Sequence, residues 1–143
     1  MEHGVHCPFC HIMEQHLLKD QPEVVEVQGS VFVIKARTPV VEGHVLVMPR
    51  RHVRDVVEDL DCTVMVMRHA SDFANRYTYR QRGGDAYGSW YGANILTSIG
   101  ESAGQTVPHL HLHIIPRRQG DGLRLPWSTP ASDLKRQLDS NKA

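Results

Sequence analysis

The sequence predicts an α+β fold, with a five-stranded antiparallel sheet, one long helix and a short C-terminal helix. Three observations lead there. Five short apolar runs are each bounded by Gly, Pro or polar turn residues, the mark of strands. One stretch, from Leu60 to Tyr77, instead carries apolar residues every three to four positions, the mark of a helix with one buried face. Strands gathered around a single main helix, rather than alternating with helices, favour an antiparallel sheet. No repeat, low-complexity segment or linker divides the 143 residues, so residues 1–143 read as one domain.

Residues 1–6 form a lead-in, and Cys10 to Lys19 a short helix with Ile12, Met13, His16 and Leu17 at helical spacing. Val24 to Val27 and Ser30 to Lys35 are paired strands joined by a turn at Gln28-Gly29. A loop carrying Pro39 leads to the third strand, His44 to Met48, which Pro49 ends. The long helix starts at a cap supplied by Asp55 or Asp61. Its sheet-facing stripe is Leu60, Val64, Met67, Phe73 or Ala74, and Tyr77, and Cys62 reads as a small core residue. A loop, Gln81 to Gly92, carries glycines among aromatics and has no assigned role. Ala93 to Ile99 is the fourth strand and Gly100 to Thr106 a turn. The fifth strand begins at His109, and a terminal helix starts near Thr129-Pro130.

Composition bounds the function. Formal net charge is zero, which gives no global electrostatic case for nucleic acid or an anionic membrane. No apolar run approaches the roughly 20 residues of a membrane span, and the N-terminus lacks the apolar core of a secretory signal. Three cysteines do not make a disulfide framework, and an odd count without a signal peptide points to a reducing compartment, the cytoplasm. Cys7-x-x-Cys10 is spaced for half of a tetrahedral zinc site; a redox pair is the rival, without the βαβ surroundings that a thioredoxin-like motif would have.

Ten histidines is a high number for this length, and three stand in strict alternation in His109-Leu110-His111-Leu112-His113-Ile114. On a strand, residues two apart share a face, so three imidazoles would line one side about 6.6 Å apart. Leu110, Leu112 and Ile114 would then enter the core. A lone strand histidine usually just packs, but a row of three gains nothing from packing. Imidazole serves as metal ligand, general acid or base, or nucleophile, so the row is a site.

The stretch from Gln105 through His109-Leu110-His111-Leu112-His113-Ile114-Ile115 resembles the signature of the histidine triad family. Pro39-x-x-x-Gly43-His44-x-Leu46-Val47-x-Pro49 is similar to that family's second segment, and with Cys7-Pro8-Phe9-Cys10 the likeness spans roughly residues 7 to 127. The resemblance implies a five-stranded sheet that dimerises, and an enzyme that opens a phosphoanhydride or phosphoramidate bond of a nucleoside phosphate. His111 would be the nucleophile and carry a nucleotidyl intermediate. His44 would orient it, His113 and Gln105 would contact phosphate oxygens, and Thr106 would add donors. Bacterial members imply a structural zinc on Cys7, Cys10, His52 and His109. If His109 holds metal it cannot also serve as general acid. Two departures stand out: Ala36 occupies the usual ribose-binding position, and Ser98 replaces a usual Asn or Gln, with Asn94 four residues out of register. Trp127 could stack on a base.

Three functions compete on these residues. The first is the histidine-triad hydrolase or transferase, acting on a dinucleoside polyphosphate or nucleoside phosphoramidate. The second is a metal-dependent hydrolase with His109, His111 and His113 as ligands, which lacks a nearby acid, since the first after the row is Asp121. The third is a zinc-stabilised nucleotide-binding module without turnover. Arg50, Arg51, Arg54, Arg117 and Arg118 read as a solvated rim, with phosphate steering as the sharper alternative.

Overall fold

The computed structural model describes residues 6–78, 92–118 and 120–124. Five strands form one sheet: β1 (Val24–Gln28), β2 (Val31–Lys35), β3 (Val45–Pro49), β4 (Gly92–Leu96) and β5 (Leu112–Arg117). Their order across the sheet is β1-β2-β3-β5-β4, and every neighbouring pair is antiparallel. The last strand in sequence is thus inserted between β3 and the edge strand β4.

Two helices cover the two faces: α1 (Pro8–Leu18) and α2 (Leu60–Thr78). Alternate residues of β2 and β3 feed both faces, which is why each strand is a nearly unbroken apolar run. Val31, Val33, Val45, Val47, Leu112 and Ile114 pack with Val66, Ala70 and Phe73 of α2. On the opposite face Phe32, Ile34, Leu46 and Met48 pack with Phe9 and Met13 of α1. Arg76 ties α2 to the edge strand through both carboxylate oxygens of Glu26, at 2.9 and 2.8 Å.

Several sequence expectations are corrected. The buried face of α2 is Cys62, Val66, Ala70 and Phe73, whereas Leu60, Val64 and Met67 lie in solvent, 69%, 67% and 41% exposed. Both stripes repeat every three to four residues, so periodicity alone could not choose between them. The cap of α2 is neither Asp55 nor Asp61. Asp59 accepts the Cys62 N–H at 2.9 Å, while Asp55 accepts from Val57 and Glu58 in the preceding turn. The β1–β2 turn centres on Gly29-Ser30, with Gly29 at φ +57°, one residue beyond the expected position. β4 ends at Leu96, so Ser98 falls beyond the strand. The expected loop at 81–92, apart from Gly92, lies outside the described residues, as do Trp127 and the C-terminal helix.

The most consequential correction concerns the histidine row. The β5 ladder opens at Leu112, so only His113 of the three belongs to it. Pro108 has no N–H, and the His109 N–H turns back to the Val107 carbonyl at 2.8 Å, keeping this segment out of the regular ladder. Leu110 nevertheless bonds the Val53 carbonyl and buries its side chain among the α2-side residues, beside Leu112 and Ile114.

Candidate active site and metal cluster

The three imidazoles lie on the side of the sheet that α1 covers. His113 pairs in register with Leu46, a member of the α1-side core. Phe9 of α1 stands edge-on to both His109 and His111, with ring centroids 5.8 and 5.1 Å away. His111 and His113 are 5.1 Å apart, centroid to centroid.

Backbone partners determine which nitrogen of each ring carries its proton. His111 Nδ1 is 2.7 Å from the carbonyl oxygen of His109. A carbonyl only accepts, so Nδ1 is protonated and Nε2 keeps its lone pair. The Val40 N–H donates to His44 Nδ1 at 3.2 Å, which puts the His44 proton on Nε2. That proton points at His113 Nδ1, 2.9 Å away, and leaves His113 with a donating Nε2–H. Two backbone groups on separate loops thereby leave, among the described residues, one lone pair and one donor without a partner on adjacent rings.

Burial keeps these rings neutral. It pulls His44 and His111 below the ordinary imidazole value, and takes His113 from 6.5 to about 4 with help from the neighbouring rings. Between about 6.5 and about 4 the unfolded chain binds a proton at His113 that the folded chain refuses. Stability is therefore complete above that window and falls as pH is lowered through it. Urea midpoints measured from pH 7 to pH 4 should decline, and His113→Asn should flatten part of that slope.

His44 is not the residue that orients His111, as the sequence had suggested. It touches His113, and the His109 carbonyl orients His111. Gln105 is also placed differently. Its Oε1 accepts the Gly100 N–H at 2.8 Å, and its Nε2 donates to the carbonyls of Arg54 and Val107 at 2.7 and 3.1 Å. Buried and fully engaged, Gln105 braces the turn before the triad rather than offering its amide to a phosphate. Gly100 and Gly104 allow that turn through φ values of +79° and +88°. Thr106 is exposed and Ser98 half-buried. Thr97, unremarked in the sequence, donates its hydroxyl to the His111 carbonyl at 2.8 Å. That contact depends on the register of β4 against β5, which no local pattern announces. Asn94 accepts from Arg117 Nη1 at 2.8 Å, and Arg117 also holds Asp121 and the Leu123 carbonyl. Arg51 and Arg54 pair with Asp59 and Asp55.

The second cluster sits at the N-terminus of α1. Cys7 caps the helix through its Sγ, Pro8 takes the first helical position, and Cys10 follows one turn later. Ligand atoms of Cys7, Cys10, His52 and His109 all lie within 4.8 Å of one another. Cys7 Sγ to His109 Nδ1 is 3.4 Å, Cys10 Sγ to His52 Nδ1 is 3.3 Å, and His52 Nδ1 to His109 Nδ1 is 3.2 Å. Bonds of about 2.0–2.3 Å in a tetrahedral zinc site put ligand atoms roughly 3.3–3.8 Å apart, close to these separations. His109 Nε2 donates to the Pro49 carbonyl at 2.9 Å, so the Nδ1 turned toward the thiols is a lone pair. The four residues can hold a metal ion.

Both His109 nitrogens are thus engaged away from His111 and His113. Among the described residues, the His109, His111 and His113 row forms no common ligand set. No described helix is long and apolar enough to cross a membrane.

A five-stranded antiparallel sheet with His109 and His111 leading into its inserted strand, His113 within it, and an N-terminal helix over them is the arrangement of a histidine-triad protein. The HIT domain family matches residues 19–120, and the chain belongs to that family. It is 39% identical over 97 residues to Protein hit of Bacillus subtilis, covering 67% of this chain and 63% of that protein. It is 35% identical over 112 residues to the bifunctional bis(5'-adenosyl)-triphosphatase/adenylylsulfatase of Arabidopsis thaliana, covering 73% of this chain and 57% of that one. The match therefore spans under two thirds of the length of each of these two relatives. A crystal structure of a HIT family member from Bacillus subtilis superposes with a TM-score of 0.64 at 30% identity, covering 96% of this chain and 95% of that one.

Proposed function

We propose that this chain is a nucleotide hydrolase or transferase that cleaves a phosphoanhydride or phosphoramidate bond through a covalent intermediate on His111. The observation that carries this is the 2.7 Å bond from His111 Nδ1 to the His109 carbonyl, which leaves a neutral Nε2 lone pair. That lone pair forms a bond to phosphorus as the bond to the leaving oxygen or nitrogen breaks, its electron pair departing with the leaving group. The leaving group takes up a proton from solvent, and water then replaces His111 on phosphorus and gives up a proton in turn, releasing the nucleotide and returning the neutral ring. The Nε2–H of His113, held by His44, is the donor for phosphate oxygens as charge builds on them. Thr106 and Ser98, on the two turns that approach the triad, are further candidates for substrate contact. A relative named as a bifunctional bis(5'-adenosyl)-triphosphatase/adenylylsulfatase supports a nucleoside phosphate as substrate.

Cys7, Cys10, His52 and His109 are assigned to a structural zinc, which a reducing cytoplasm would leave supplied with thiols. When bound, the ion would stabilise these ligands as a closed site and tie α1 to the sheet. The test of the function is turnover of a fluorogenic adenosine phosphoramidate and of a diadenosine polyphosphate, wild type beside His111→Ala. Silence of wild type toward both would sink adenosine nucleotide turnover and leave a zinc-stabilised nucleotide-binding module as its replacement.

The apolar stripe Leu60, Val64 and Met67 left in solvent on α2 supports a homodimer. Val64→Asp should convert a dimer to a monomer in sedimentation equilibrium with little change in helix content. A wild-type monomer at tens of micromolar would refute the dimer.

A further inference from the structure

The cysteine pair and the nucleophile are not separate devices. Phe9 lies between Cys7 and Cys10, inside the first turn of α1, and is only 8% exposed. Its ring presses on two histidines at once. It meets His111 at 5.1 Å with the planes 76° apart, and His109 at 5.8 Å with the planes 85° apart. His109 offers its Nδ1 to the cysteine cluster and its backbone carbonyl to His111 Nδ1. The short turn Cys7-Pro8-Phe9-Cys10 therefore reaches the nucleophile by two routes, an aromatic edge against its ring and a peptide carbonyl against its proton.

An imidazole can turn about its bond to Cβ, and one hydrogen bond leaves that rotation poorly restrained. Here the wall formed by Phe9 blocks it on one side. With the ring held, Nδ1 stays on the carbonyl and Nε2 points outward. Met13, one turn further along α1, packs in the same apolar cluster but carries no ring to set edge-on against an imidazole.

From this arrangement we infer that Phe9 is a positioning residue for His111: the cysteine turn places its ring so that the nucleophile keeps one orientation and one tautomer. This role rests on His111 being the nucleophile. It does not require Phe9 to touch the reacting atoms, and it assigns the cysteine turn a part in turnover as well as in stability.

The experiment compares Phe9→Leu, Met13→Ala, His111→Ala and wild type, all metal-loaded and all verified for bound metal and helix content. Phe9→Leu keeps an apolar side chain and both cysteines. It should retain metal, lower kcat at least tenfold with KM within about twofold, and shift the His111 ring nitrogens from a single Nδ1–H tautomer toward a mixture in ¹⁵N NMR. Met13→Ala should lower the melting temperature yet leave both kcat and the His111 nitrogen signals as in wild type. Phe9→Tyr, which restores the aromatic edge, should recover most of kcat. Wild-type turnover by Phe9→Leu with unchanged His111 nitrogens, beside an inactive His111→Ala, would overturn the role of Phe9 alone. A His111→Ala protein that still turns over would remove the nucleophile assignment, and this role with it.

Discussion

His111→Ala should lose at least three orders of magnitude in kcat/KM toward any substrate that wild type cleaves, while keeping its fold and its metal. A thousandfold loss corresponds to about 4 kcal/mol of transition-state stabilisation, at roughly 1.4 kcal/mol per decade. The reason is specific to the site. His111 is the ring whose Nδ1 is pinned by a carbonyl, and whose remaining lone pair is free of any described partner atom. His113 cannot substitute, because its Nδ1 takes the His44 proton and its own proton occupies Nε2. His109 cannot substitute either, with Nε2 on Pro49 and Nδ1 among the thiols. His111→Asn keeps a polar group of similar reach without a ring nitrogen, and should be equally silent. Steady-state assays with circular dichroism and metal analysis on the same samples would decide the matter. Activity in either variant within tenfold of wild type would exclude a covalent intermediate on this residue.

Cys7→Ser should release the metal and lower the melting temperature by roughly 10 °C, which at about 3 °C per kcal/mol for a chain of this length is near 3 kcal/mol. The local structure explains why the effect is large. Cys7 is both a member of the four-residue cluster and the cap of α1, accepting the Cys10 N–H at 3.4 Å. Serine can still cap a helix, but it is a poor zinc ligand, so the variant separates metal binding from capping. Without metal, the buried Cys10 thiol has its pKa pushed up to about 12 by burial and by Cys7 beside it, and would stay protonated. Zinc content by mass spectrometry and a thermal scan with and without chelator provide the readout. A Cys7→Ser protein that holds as much zinc as wild type would refute the assigned site.

Much of the fold was legible in the residues. The strands could be placed because β2 and β3 are compact apolar runs with Gly and Pro at their ends, and those features act locally. The candidate site was legible because three histidines at period two have no packing rationale. Other features resisted reading because they depend on distant partners. The exposed and buried stripes of α2 share one periodicity, and only contact with Val33, Val47 and Ile114 shows which one faces inward. Asp59 was hidden as a cap among several acids in the same turn region.

The site divides in the same way. Residue type and spacing were enough to single out the candidates: the histidine row, His44, and a cysteine pair needing two more ligands. Only the folded chain shows what each one touches. It turned His109 toward the cysteines, directed the His111 proton to a backbone carbonyl, and moved His44 from His111 to His113. It also closed Gln105 onto the loop it braces. The physical reason is that a side chain's type is a local property, whereas its tautomer, burial and orientation depend on whichever carbonyls, amides and rings the fold brings within about 3 Å of it.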